Sequence, residues 1–105
     1  MARFDVFRNS GERASSTPYL LDVQSDLLGQ LDTRVVIPLR RQPALQEFAF
    51  PDDLAPIIQI DGIPCLLETP KMAAVPTGLL RSRVGSLADR HDLIMGAIDR
   101  LFQGF

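Results

Sequence analysis

The chain of 105 residues has no tryptophan, one tyrosine, one histidine and one cysteine. Each scarcity removes a class of chemistry. A lone Cys65 allows no disulfide within the chain and no paired-cysteine zinc site. A lone His91 excludes a two-histidine metal centre, and a Ser-His-Asp arrangement would have to use it. It sits between Arg90 and Asp92 in the most helical stretch, which reads as a partly exposed helix residue. A basic excess is also missing: eleven Lys and Arg against thirteen Asp and Glu leave a formal net charge of −2, too little to steer the chain toward nucleic acid or anionic lipid. There is no apolar run long enough to cross a bilayer, no signal-peptide pattern, no glycine-rich phosphate loop and no internal repeat. The expectation is a cytoplasmic chain, one domain over residues 1–105, with no metal or cofactor. What the chain does have is apolar residues, 46% of the total, enough for one core.

The remaining reactive groups form no constellation. Cys65 follows Pro64 in an apolar run and reads as a core or half-buried thiol. Asp52-Asp53 has no matching acidic pair and reads as a solvated loop. Ser25 beside Asp26 is turn chemistry. Arg81, Arg83 and Arg90 with Arg40 and Arg41 make modest basic patches without interleaved aromatic residues, so stacking on nucleic acid is weakly supported. The residues point to a binding protein rather than a self-contained enzyme.

The pattern is one of short strands closed by a helix. Strands are expected at Arg3–Arg8, with Phe4 and Val6 inward, at Tyr19–Gln24, with Tyr19, Leu21 and Val23 on one face, and at Thr33–Leu39. Asn9–Pro18 is a loop or hairpin connection, and Ser25–Thr33 a turn whose adjacent Leu27 and Leu28 cannot both point inward. Pro38 lacks an N–H, so the third strand should end there or lie at an edge. Arg40–Pro56 is expected to be a loop with a short strand or helical turn. Ile57–Ile60 and Ile63–Glu68 flank Asp61-Gly62, a type I′ hairpin signal. Thr69–Val84 should add one or two short strands, with Gly85 as separator. Ser86–Phe105 is expected to be a helix with Ser86 as N-cap, Asp89 completing a capping box, Gly104 as stop and a fraying tip at Gln103-Gly104-Phe105. Leu87, Ile94, Ile98, Leu101 and Phe105 would share its apolar stripe. The class expected is α+β, mainly antiparallel β.

Several strings resemble the CcdB family of bacterial toxins: Phe4-Asp5-Val6-Phe7, Asp22-Val23-Gln24-Ser25-Asp26-Leu27-Leu28, Val36-Ile37-Pro38-Leu39, Pro56 to Ile60, Met72-Ala73-Ala74-Val75-Pro76 and Ala97-Ile98-Asp99 to Gly104. They keep the family's order and near-family spacing across almost the whole chain. The resemblance implies an SH3-like small barrel with a five-stranded sheet, an accessory sheet and a C-terminal helix. It also implies a homodimer that poisons DNA gyrase, entering the dimer interface of the A subunit and trapping cleaved DNA. An antitoxin with a disordered tail, of the CcdA kind, would neutralise it. Such a toxin is not itself an enzyme and has no membrane or direct nucleic-acid partner.

Carried over by position, the resemblance implies gyrase binding by Gln103, Gly104 and Phe105, with Asp99 and Phe102 on the helix and Leu27 and Leu28 on the turn. Arg40, Arg41, Arg81 and Arg83 would hold an acidic antitoxin tail. One departure stands out: gyrase-poisoning members carry Trp where this chain has Gln103. Losing a stacked Trp costs on the order of 2 kcal/mol, roughly 30-fold in affinity. Phe105 replaces a usually smaller aliphatic residue and, three positions from Phe102, could share its face and supply the lost ring. Two other readings stand beside the gyrase poison. One is a ribonuclease toxin of the MazF/Kid type; the other is an inactive homologue serving as antitoxin partner and co-repressor, which Gln103 favours.

Overall fold

A computed structural model describes residues 1–42 and 50–104. Among the described residues seven strands precede one helix: β1 (Asp5–Arg8), β2 (Tyr19–Asp22), β3 (Thr33–Arg41), β4 (Ile57–Ile60), β5 (Ile63–Leu67), β6 (Ala73–Pro76), β7 (Arg83–Ser86) and α1 (His91–Gln103). All pairings are antiparallel, and the sheet curls into a half-barrel. Its main part is the five-stranded run β6-β3-β2-β1-β7. The hairpin β4-β5 hangs on the far half of β3 as the accessory sheet. The α+β architecture is therefore the one expected.

β3 is the hub, and Pro38 is its pivot. The strand does not end at Pro38, and Pro38 is not at an outer edge: β3 runs on to Arg41, with Pro38 opposite Leu20 of β2. On the other side, β6 pairs with Thr33–Val36 and β5 with Leu39–Arg41, so Pro38 falls in the gap where one neighbour gives way to the next. Its carbonyl accepts from Glu68 N–H (3.0 Å) on that side. A strand residue's N–H and C=O point the same way, so the missing proline N–H faces the gap and costs no ladder bond. Arg40 and Arg41, expected in a loop, belong to β3; residues 43–49 of that loop lie outside the described residues.

The main core gathers Val6, Tyr19, Leu21, Val23, Ile37, Leu39, Ile58, Leu67 and, from the helix, Ile94 and Ala97. The inward set Tyr19, Leu21 and Val23 is the one the alternation predicts. The opposite face is not simply solvated: Phe7, Val36 and Leu80 form a second cluster, and Asp5, Asp22 and Gln24 are buried. β1 is thus covered on both faces, where alternation with charged neighbours suggested one. Both central residues of the Asp61-Gly62 turn have positive φ, 50° and 78°, as a type I′ hairpin requires.

Two expectations about the helix are corrected. It starts at His91, not Ser86. Ser86 is claimed by the sheet, pairing with Asp5, and Leu87 N–H donates to the Phe4 carbonyl (2.8 Å). The Ser86 hydroxyl accepts from Ala88 N–H and serves a 3-10 turn over Ala88–Arg90, while the helix proper has no side-chain N-cap. Gly85 is inside β7 rather than a separator. At the other end Gly104 is left-handed (φ 80°), and its N–H bonds the Arg100 carbonyl (2.9 Å). Gln103 and Gly104 therefore form a closed C-cap instead of a frayed tip; Phe105 lies outside the described residues.

Candidate functional site

The string from Asp22 to Leu28 builds a pedestal. Asp22 ends β2, diagonally across from Arg34 near the start of β3. Arg34 Nε donates to Asp22 Oδ2 (2.9 Å), and its Nη2 lies 2.7 Å from the same oxygen, the side chains being 2% and 0% exposed. Burying such a pair is favourable only if the remaining donors and acceptors are filled. Here they are. Arg34 Nη2 also donates to the Gln24 carbonyl (3.2 Å), and Asp22 Oδ1 accepts from Gln24 N–H (3.1 Å). Gln24 then spreads the web: its Nε2 donates to the Leu28 carbonyl (3.0 Å), and its Oε1 accepts from Val35 N–H (3.1 Å).

On this base sits a 3-10 turn over Asp26–Leu28. Ser25 Oγ caps it, accepting from Leu27 N–H (3.2 Å). Asp26 Oδ1 accepts from Arg3 N–H (2.8 Å). With the backbone fixed on the polar side, the two leucines have nowhere to go but outward: Leu27 is 88% and Leu28 46% exposed.

Arg3 joins this turn to the helix. Beside its N–H bond to Asp26, its Nε donates to the Val23 carbonyl (2.9 Å) and its Nη2 reaches Met95 Sδ in α1 (3.4 Å). The guanidinium lies over the Phe4 ring, 4.9 Å from its centroid, and that ring meets His91 edge-on at 5.4 Å. Phe4 itself has φ 71°, a costly conformation for a bulky residue. Its N–H bond to the Asp22 carbonyl (2.7 Å) and its carbonyl bond from Leu87 hold it there.

From Met95, steps of four and three along α1 reach Asp99 and Phe102 on the same side of the helix. Asp99, Phe102 and Gln103 are exposed, Phe102 to 71%. The inward side is Ile94 and Ala97, with Ile98 packed against the core. The structure thus puts the Leu27-Leu28 turn and the Met95 face of α1 on either side of one residue, Arg3. Gly104 closes the helix below Gln103, and its carbonyl accepts from Arg100 Nη1. The expected shared face of Phe102 and Phe105 involves a residue outside those described.

The four arginines expected to act together are spread over one end of the sheet. The register Leu39–Tyr19–Arg8 carries across from β3 to β1, and Phe7 pairs with Arg83 of β7. Each arginine has a partner in its own chain. Arg40 lies 4.0 Å from Glu68, Arg41 donates to the Ser15 carbonyl, Arg81 to the Gly78 carbonyl, and Arg83 pairs with Asp5 at 3.1 Å.

Cys65 is fully buried, and burial pushes its thiol above the ordinary range, with the Arg41 charge pulling the other way. That is the wrong direction for a nucleophile. Among the described residues no group of three or more His, Cys, Asp or Glu side chains could hold a metal ion, and no helix is long and apolar enough to cross a membrane.

Arg3, Arg34 and Met95 were not singled out from the sequence. The available signal was Asp22 and Gln24, polar residues on a strand whose other face is apolar, but their partner Arg34 lies beyond the turn. Comparison with known families finds that the model of the CcdB protein family matches residues 3–104, nearly the whole chain.

Proposed function

The chain belongs to the CcdB family, the toxins of toxin–antitoxin modules, and on that premise we propose that it binds and poisons DNA gyrase. The observation that carries the reading is the built exposure of Leu27 and Leu28. A buried ion pair and a capped turn hold two large apolar side chains in water, next to a helix that exposes Phe102 at 71%. Exposed apolar groups on a rigid base are what a protein partner desolvates.

In this reading the A subunit of gyrase docks on Leu27, Leu28, Asp99, Phe102, Gln103, Gly104 and Phe105. The leucines and Phe102 supply apolar area, and Asp99 fixes register against a basic partner group. The toxin acts stoichiometrically, as a homodimer in the cytoplasm, by stabilising the cleaved DNA complex. A cognate antitoxin displaces it, with Arg40, Arg41, Arg81 and Arg83 meeting the acidic tail. Phe102 is the ring that the helix offers where family members present Trp at the position of Gln103, and Phe105 adds a second.

The test is a supercoiling and cleavage assay with purified protein and gyrase from its own host. Linear DNA accumulating after denaturant is the expected result, reduced by Phe102→Ala and by Phe105→Ala. If Phe105→Ala changes nothing, Phe105 supplies no ring. Absence of both binding and cleavage sinks the gyrase reading and moves up the ribonuclease reading and the antitoxin partner and co-repressor, the second of which Gln103 favours.

A further inference from the structure

A second site lies where β3 changes neighbours. A pocket of about 550 Å³ opens over the outer face of β2 and β3, within the size range of small-molecule sites. Its floor includes Leu20 and Pro38, directly opposed in the β2–β3 register. Its walls bring Arg13 from the β1–β2 connection, Arg40 from β3, Glu68 from the end of β5 and Lys71 from the following 3-10 turn.

Two neighbouring buried atoms lack a hydrogen-bond partner, Thr69 Oγ1 and Glu68 Oε2, and Glu68 is the one that lines the pocket. It is 2% exposed, and its Oε2 has no hydrogen-bond partner. Lys71 Nζ at 3.3 Å and Arg40 Nη1 at 4.0 Å are near enough to attract it but do not donate to it in good geometry. Its backbone is fixed on both sides, N–H to the Pro38 carbonyl and C=O from Lys71 N–H (2.9 Å), which roots the side chain at the pocket wall. An acceptor buried in this way costs stability unless something donates to it. Meanwhile Lys71 is half exposed and Arg40 about a quarter exposed, so both cations retain unused donors.

Three cations face one carboxylate, leaving an excess of two positive charges. A phosphate monoester carries about that charge of the opposite sign near neutral pH, and a single carboxylate does not. The occupant that completes the pocket therefore needs a phosphate, a hydroxyl donor and a carbon face.

We propose that this pocket binds a small sugar phosphate, with the phosphate on Arg13, Arg40 and Lys71, a hydroxyl donating to Glu68 Oε2 and the carbon skeleton resting on Leu20 and Pro38. The site lies apart from the Leu27–Phe102 face and does not depend on gyrase binding. Arg40, offered above for the antitoxin tail, has its place here through Glu68.

Isothermal titration calorimetry on the full chain with ribose 5-phosphate, inorganic phosphate and ribose tests this. Ribose 5-phosphate should bind at least about tenfold tighter than either fragment. Lys71→Ala and Arg40→Ala should weaken both phosphate ligands about tenfold, while Arg81→Ala, outside the pocket, should change neither. Glu68→Met keeps the volume but removes the acceptor, and should reduce the preference for ribose 5-phosphate over phosphate to under about threefold. Equal affinity for ribose 5-phosphate and phosphate in the unmodified protein reduces the site to a basic patch and overturns the proposal, as does no binding at millimolar ligand. If Glu68→Met does not fold, Lys71→Ala decides together with the three-ligand comparison, since Lys71 is half exposed.

Discussion

Leu27 and Phe102 are both large apolar side chains facing water, at 88% and 71% exposure, yet they are held out by opposite means. Leu27 stands on a buried polar web whose central pair is 2% and 0% exposed. Phe102 stands on the last turn of a helix that is anchored by Ile94 and Ala97 a turn or more away and closed by a left-handed glycine. One half of the face takes its order from charges inside the protein, the other from backbone geometry at the surface. The first should therefore be costly to disturb and slow to loosen, and the second cheap and local.

The largest effect should come from Asp22→Ala. It strands Arg34 without its buried partner, and a loss of roughly 3–5 kcal/mol is expected, read as the shift of a urea unfolding curve at unchanged slope. A loss under about 1 kcal/mol would show that the turn does not rest on this pair and erase the contrast. Next, Leu27→Ala with Leu28→Ala should leave stability within about 0.5 kcal/mol, because surface truncation removes little burial. The same double variant should weaken gyrase binding at least about tenfold in a titration against the A subunit, if this half of the face makes contact.

Gly104→Ala comes third. Alanine at φ 80° should cost about 1 kcal/mol, and amide exchange should quicken in the last turn of α1 while the Asp22–Leu28 web stays protected. Quickening in both regions would mean that the two halves are one cooperative unit. The smallest effect should be Asp53→Ala. Its pair with Arg100 spans 3.3 Å between side chains 68% and 33% exposed, so about 0.2–0.5 kcal/mol is expected, fading in salt.

The two regions were also unequally legible in the sequence. The helix announced itself by period and by Gly104, and the Asp61-Gly62 hairpin by its residue pair, because these are local rules acting over a few residues. The turn rule required at least one of Leu27 and Leu28 to face out; that both do is what the structure adds. The pedestal beneath them was not legible. Arg34 is separated from Asp22 by the whole turn, and a lone arginine at the start of a strand reads as surface. The start of the helix was misplaced for a related reason: Ser86 is a good N-cap by local rules, but its pairing with Asp5, at the other end of the sequence, keeps it in the sheet. Pro38 likewise obeys its rule, since the missing N–H faces no ladder, but only the change from β6 to β5 beside β3 reveals how.

The link made by Arg3 also bears on the order in which the molecule assembles. β1 pairs with β7, and Arg3 needs both Asp26 and Met95. Contacts between the first and last elements raise the contact order, which places such a chain toward the millisecond-to-second end of folding times. During synthesis, the β1–β2 and β2–β3 hairpins can pair early, but Arg3 has no Met95 until α1 has been made. The surface that carries Leu27, Leu28 and the Met95 side of α1 would thus be completed only at the final step of folding.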